Sequence, residues 1–355
     1  MKAMTKFFLK EKLYIAMFLL ILFLYMGSFA TGGAKEYKHN GHKVSVSKEN
    51  VIDNSKDIPS EKIEEIAKTK PLVILISGLM FLLFLLFFVL GVAVDLSWFY
   101  NSIRRKDFFS KFGEFARLKT VSWSLGDIIR VAVTFVFWSF IGMVFLSTIY
   151  VVINLFANIK DTTLLFHSLL NDFIMIAILI YFIKYRYKTK FSEIGFHFEN
   201  KFDNISTGFL GYIAFVPFII FSIMLVNWLC RIFEYAPKMQ PIVNIILREE
   251  KQYILFTTSF FAAIIGPVAE ELFFRGFMYN ALKKKLGIFI AVFFTAALFS
   301  LLHTNIAGFL PIFILGILLA YIYEKTGNLL CSISVHMFHN IIMLILTFLF
   351  RQFIT

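Results

Sequence analysis

The sequence predicts an all-α polytopic membrane protein of about nine transmembrane helices, and three observations carry that reading. Hydrophobic residues make up 59% of the chain, with 47 phenylalanines and a mean hydropathy of +0.77, which no soluble domain of ordinary composition matches. Apolar runs, most of them long enough to cross a bilayer, recur from Leu13 to Phe350. Short clusters of Lys and Arg separate these runs, and they account for the net charge of +12. The basic balance therefore orients spans and does not point to nucleic acid. Cys230 and Cys331 lie at or inside apolar segments without metal-type spacing and read as small apolar residues.

Residues 1–30 place Lys2, Lys6, Lys10 and Lys12 before the apolar run Leu13–Ala30. This is a signal anchor or first transmembrane helix; its end at Ser28-Phe29-Ala30 keeps a cleaved signal peptide open. Residues 31–70 form a polar extracytoplasmic loop in which eight Lys balance seven Asp or Glu, with a short helix expected near Ser60–Thr69. His39 and His42 read there as solvated, and Ser45-Val46-Ser47-Lys48 as a chance match to a serine–lysine nucleophile.

Residues 71–190 hold additional spans at Pro71–Trp98, Ile128–Phe156 and Leu164–Phe182, joined through basic cytoplasmic loops. In Lys106–Leu118, four phenylalanines alternate with Lys and Arg at near-helical spacing, which suits an interfacial helix or a loop packed over the bundle. Asp95 and Asp172 sit near span ends and reach headgroups or partners. His167 and Asn171, four apart, read as interfacial.

Residues 191–355 begin with the linker Phe191–Asn204 and a span at Ile205–Leu229. The outer segment Arg231–Gln252, with Pro237 and Pro241, is expected to hold a short amphipathic surface helix. A sixth span, Tyr253–Ala269, carries Gly266-Pro267, which should loosen the helix and free carbonyls. Spans at Ile288–Leu302, Phe309–Tyr323 and Leu329–Phe350 complete the count.

The chemistry concentrates in this last part. Glu270, Glu271 and Arg275 run directly out of an apolar segment, where each charge costs roughly 2.5–3.5 kcal/mol on insertion scales and so needs a compensating contact. On a helix, Glu271 and Arg275 stack four apart, while Glu270 points about 100° away. One carboxylate can be paired and the other left available. His303 closes the stretch Phe299-Ser300-Leu301-Leu302-His303, and His336 shares a face with Asn340 on the last span. His339, beside them, reads as a helix-packing or supporting histidine. No His-Glu-x-x-His, Gly-x-Ser-x-Gly or Gly-x-Gly-Asp pattern occurs in the sequence.

Three motifs in this order, Glu-Glu-x-x-x-Arg, Phe-x-x-x-His and His-x-x-x-Asn, fall on successive apolar segments within about 75 residues. In this the chain resembles the CPBP family of intramembrane proteases, the CaaX-protease and bacteriocin-processing or Abi group. The resemblance covers roughly residues 250–350 and extends weakly to Ser192-Glu193-Ile194-Gly195; residues 1–190 have no counterpart in it. It implies a C-terminal CPBP-like helical core in residues 191–355, where Glu270 and His303 activate water. It also implies that His336 and Asn340 donate to the oxyanion while Glu271 and Arg275 support them. Carboxylate bases and amide or imidazole donors suit that chemistry.

The family is also described as metal-dependent, and Glu270, His303 and His336 can equally make a three-ligand zinc site. No cofactor is favoured, and zinc stays open. The partners implied are a peptide or membrane-protein substrate and the lipid bilayer, with no nucleic acid. The expected function is an intramembrane endopeptidase; the alternative is a catalytically idle member acting as a membrane regulator or bacteriocin immunity protein. A transporter is disfavoured, because no inverted repeat is visible.

One geometric conflict accompanies this reading. With straight helices, Glu270 falls toward the cytoplasmic half of its span and His303 toward the outer end of the next. A kink at Gly266-Pro267, a sixth helix continuing to Leu282, or a deeper start to the seventh each removes it. The lysine and arginine distribution predicts a cytoplasmic N-terminus, and the resemblance implies a bacterial plasma membrane location. A cysteine introduced at residue 188, with Cys230 and Cys331 replaced, should accordingly react with an impermeant maleimide only after permeabilisation; reaction in intact cells contradicts the assignment.

Overall fold

The structure, a computed structural model, describes residues 11–21, 60–105, 121–155, 163–237, 239–303 and 305–354, and no strand occurs among them. In order, the helices are α1 (Ser60–Thr69), α2 (Pro71–Arg105), α3 (Leu125–Asn154), α4 (Thr163–Ile180), α5 (Lys201–Ile232) and α6 (Pro241–Arg248). They continue as α7 (Gln252–Leu286), α8 (Ile288–Leu302), α9 (Phe309–Thr326) and α10 (Leu329–Ile354). The short helices expected before Pro71 and after Pro241 are therefore present. Pro241 opens α6 where its missing N–H costs nothing. The helix anticipated at Lys106–Leu118, His39, His42 and the Ser45–Lys48 match lie outside the described residues.

Seven described helices are long and apolar enough to cross a membrane: α2, α3, α4 with its continuation to Arg186, α5, α7, α9 and α10. The protein is thus a polytopic all-α membrane protein. Two of the nine expected spans are missing from that set. The run Leu13–Ala30 is described only as far as residue 21, and α8, at 15 residues, is a short apolar helix.

The chain divides into two compact units. Among the described residues, one comprises 11–21 and 129–174. In it the Arg130 guanidinium bonds the Glu11 carboxylate, with Nε to Oε2 at 2.7 Å. His167, expected at the membrane interface, bonds to Ser139 of α3, with Nε2 2.9 Å from the Ser139 carbonyl. A carbonyl only accepts, so that nitrogen carries the proton.

The other unit holds residues 61–128 and 175–354. Its core forms around α5, which meets α2, α9 and α10. Tyr212, Ile213, Val216 and Ile219 of α5 pack with Phe87, with Leu315, Leu318, Leu319 and Ile322 of α9, and with Cys331 and Val335 of α10. In a bilayer, lipid competes with such contacts, so close approach of small residues is what holds helices together. Gly91 supplies it on α2: a Cβ there would lie 2.5 Å from the Ile213 carbonyl and 2.7 Å from Pro217 Cδ. Gly208 does the same on α5, where a Cβ would meet Cys331 Sγ at 2.6 Å.

Helix α7 decides where the acidic residues sit. Its 35 residues rise about 52 Å, far more than the roughly 30 Å hydrocarbon layer. Two π-helical turns, Phe261–Ile265 and Leu272–Tyr279, interrupt it. The loosening expected at Gly266-Pro267 takes this form, one turn earlier than the glycine. Gly287, with φ of +84°, then reverses the chain into α8. Glu270 stands seventeen residues before Gly287 and His303 sixteen after it, so both lie about 25 Å from the turn. The sixth helix running on past Leu282 thus removes the geometric conflict.

Gly195 is the other glycine on which the arrangement depends. It ends the turn Phe191–Ile194, has φ of +84°, and its carbonyl accepts from Leu329 N at 2.7 Å. A Cβ there would lie 2.4 Å from the Gly327 carbonyl oxygen. The left-handed backbone alone costs a substituted residue about 1–2 kcal/mol, and the clash adds to it. Gly195→Ala should lower the thermal midpoint of the detergent-solubilised protein, whereas Gly78→Ala, whose Cβ meets nothing within 4 Å, should not.

Candidate active site

Two adjacent carboxylates on α7 have opposite environments. Glu271 is 0% exposed in its side chain, while Glu270 is 35% exposed. Helical rotation separates them: Glu271 faces the interior between α8, α9 and α10, and Glu270 turns away.

The buried carboxylate meets a buried cation. Arg275 Nη1 donates to Glu271 Oε1 at 2.6 Å, and Nη2 donates to the Gly316 carbonyl at 2.9 Å. That carbonyl is within reach because α8 and α9 touch backbone to backbone there; a Cβ on Gly316 would lie 3.0 Å from Ala296 Cα. The guanidinium also lies over the Phe299 ring, 4.9 Å from its centroid, an attraction strengthened by the absence of water. Charge, dipole and π-face together offset the cost of burying the cation.

Phe299 gathers the remaining parts. Its ring makes edge contacts with Phe274 at 5.2 Å, His303 at 4.8 Å and His336 at 5.6 Å. The α8 aromatic of the Phe-x-x-x-His motif is therefore the surface on which the two histidines and the arginine meet. His303 Nδ1 lies 2.8 Å from the Phe299 carbonyl, so Nδ1 carries the proton and Nε2 is left as the acceptor.

His336 reaches both acids. Its Nδ1 is 3.0 Å from Glu271 Oε1, and its Nε2 is 3.7 Å from Glu270 Oε2. Asn340, one turn on, donates from Nδ2 to the Ala262 carbonyl at 2.8 Å, in the π turn Phe261–Ile265. That turn, relaxed from α geometry, offers a carbonyl to a neighbouring helix, and one of the two amide N–H groups of Asn340 is used on it. His339 bonds the Tyr212 hydroxyl at 3.1 Å and packs against that ring, a helix-packing role.

The sequence did not disclose what supports the second π stretch. Asn280 Nδ2 donates to the Arg275 and Gly276 carbonyls at 3.1 and 2.9 Å, and to the Tyr323 hydroxyl at 2.8 Å. Tyr323 in turn donates to the Ile194 carbonyl at 2.8 Å. Trp123 donates to the Phe277 carbonyl at 2.9 Å and stacks on the Phe277 ring at 4.9 Å. Below them Glu324 accepts from the Tyr279 hydroxyl at 2.9 Å and pairs with Lys283 at 2.5 Å. The one available signal was a buried-type position for Asn280, four residues after Gly276 inside an apolar helix.

Among the described residues, no three His, Cys, Asp or Glu side chains are grouped to hold a metal ion. Glu270 and His336 are spaced as two ligands, and His336 and His303 are each held through Nδ1, by Glu271 and by the Phe299 carbonyl, which leaves Nε2 of both rings turned outward.

Residues 252–342 match the family described as type II CAAX prenyl endopeptidase Rce1-like. Among curated proteins, YdiL of Bacillus subtilis is 27% identical over 85 residues, 24% of this chain and 35% of its own. The UPF0177 protein YxdF of Lactococcus lactis is 30% identical over 86 residues, 24% of this chain and 47% of its own. The membrane-embedded CAAX protease MroQ of Staphylococcus aureus is 33% identical over 88 residues, 23% of this chain and 35% of its own. The chain thus spans less than half the length of each of these relatives in the match. No solved structure matches significantly. The matched stretch runs from the start of α7 through His336 and Asn340 on α10, and over it the chain is similar to the Rce1-like family and to these membrane proteins.

Proposed function

We propose that the protein is an intramembrane endopeptidase in which Glu270 and His303 activate a water molecule for attack on a peptide carbonyl. The observation that supports this most is the division between neighbouring carboxylates: Glu271 is enclosed by Arg275 and His336, and Glu270 is left partly exposed near the middle of a membrane-length helix. A base must reach its water, and only Glu270 can.

As the water oxygen bonds to the carbonyl carbon, its proton passes to the Glu270 carboxylate, and the acceptor nitrogen of His303 orients the molecule. The carbonyl electron pair moves onto oxygen. His336 Nε2 and the second amide N–H of Asn340 donate to that oxygen. With Nδ1 already donating to Glu271, the ring donates from Nε2 in its cationic form, which suits a developing negative charge. When the intermediate collapses, the C–N bond breaks and Glu270 returns the proton to the leaving nitrogen. Each step uses side chains of this chain alone.

The depth of Glu270 along α7 sets the substrate class: a peptide segment presented in or at the bilayer. The test is a peptidomic comparison of membranes from cells producing the protein or its Glu270→Gln variant. Peptides released by the wild type should fall about 100-fold or more in the variant, the usual effect of removing a base. Equal release by both proteins, at equal abundance, contradicts the reading and favours a regulatory or immunity role.

A further inference from the structure

We propose that Glu271 is a positioning residue for His336, holding the ring by Nδ1 so that Nε2 is the nitrogen that works beside Glu270. This deepens the endopeptidase reading and rests on it. The motif Glu-Glu-x-x-x-Arg by itself gives Glu271 one task, pairing with Arg275 for stability. The structure gives it a second.

Glu271 Oε1 already accepts from Arg275 Nη1 at 2.6 Å, so it is an acceptor oxygen, and the His336 nitrogen 3.0 Å away must carry a proton. That contact fixes which nitrogen bears hydrogen. It also fixes the ring plane, because Phe299 stands edge-on to it at 5.6 Å and an interplanar angle of 78°. The orienting oxygen is itself held: Arg275 is tied to the Gly316 carbonyl at 2.9 Å, and all three side chains are enclosed, with Arg275 and Glu271 0% exposed. Position passes from the α8–α9 contact at Gly316, through Arg275 and Glu271, to the ring on α10. The result is a nitrogen 3.7 Å from the accessible carboxylate.

Among the described residues, the other acid beside His336 is Glu270, 3.7 Å from Nε2, so Glu271 is the acid that meets Nδ1. From α7 His336 faces Glu270, Glu271 and Arg275, and from α8 it faces His303 across Phe299. On its own helix His339 is bonded to Tyr212 of α5. An imidazole oriented by a carboxylate that is itself anchored is the arrangement by which hydrolases fix a working ring, here built from four helices.

The test uses full-length protein in lipid, labelled with nitrogen-15 in its seven histidines, with the His336 resonances identified by their loss in His336→Ala. In the wild type the His336 Nδ1–H should show the shifts of a hydrogen bond to a carboxylate; in Glu271→Ala that signature should be lost. Glu271→Gln keeps an acceptor oxygen and should keep Nδ1–H hydrogen-bonded, which also covers the case in which the alanine variant does not fold. A His336 spectrum indifferent to both substitutions overturns the proposal. In cells, the Glu270-dependent peptides should fall about 10²-fold or more in Glu271→Ala and in His336→Ala, and the double variant should be no lower than His336→Ala alone. Losses that multiply contradict the proposal. Wild-type His336 spectra as expected, without any Glu270-dependent peptide, instead overturn the endopeptidase reading and leave the positioning role standing.

Discussion

The arrangement depends on one buried cation. Arg275 has no contact with water, and a buried guanidinium destabilises a fold unless opposite charge and acceptors lie against it. Its partners come from separate elements: Glu271 one turn back on α7, the Gly316 carbonyl on α9 and the Phe299 face on α8. Satisfying Arg275 therefore brings three helices together at one level, and His336 adds the fourth through the same Glu271 oxygen. The cluster of polar groups is both the glue of the core domain and the frame of the candidate site.

Several features make sense as consequences of that frame. Gly316 is a glycine because α8 and α9 must touch for its carbonyl to meet Arg275. The π winding of Leu272–Tyr279 leaves carbonyls that the helix does not use in the ordinary way, and Asn280 and Trp123 take them. The linker turn ending at Gly195 closes against the same region through Tyr323 and Leu329. Removing any one of these polar partners leaves a buried group unanswered, which costs more than the bond itself contributes.

Much of this was legible beforehand. Charges in an apolar run announce a paired cluster, and helical spacing alone separates Glu270 from Glu271. The short helices at Ser60–Thr69 and Pro241–Arg248 followed from polarity and proline placement. Other features were hidden because they are not local. That α7 runs unbroken past Glu270 to Leu286 depends on π turns, for which the sequence has no period. The contacts of Asn280, Tyr323 and Glu324 join residues more than forty positions apart. The bond from Glu271 to His336 spans sixty-five residues, and a motif read on one helix assigns Glu271 to Arg275 alone. The partner of His167 was hidden for a similar reason, Ser139 lying on the preceding helix.

The central claim is that two neighbouring carboxylates are divided into one that is enclosed and one that is partly exposed. Treating the protein in lipid with a carbodiimide and locating the adduct by fragment-ion mass spectrometry addresses it directly. The account predicts modification of Glu270, with Glu271 left unmodified while the fold is intact and both modified after denaturation. An adduct on Glu271 in the native protein, with Glu270 spared, would contradict it.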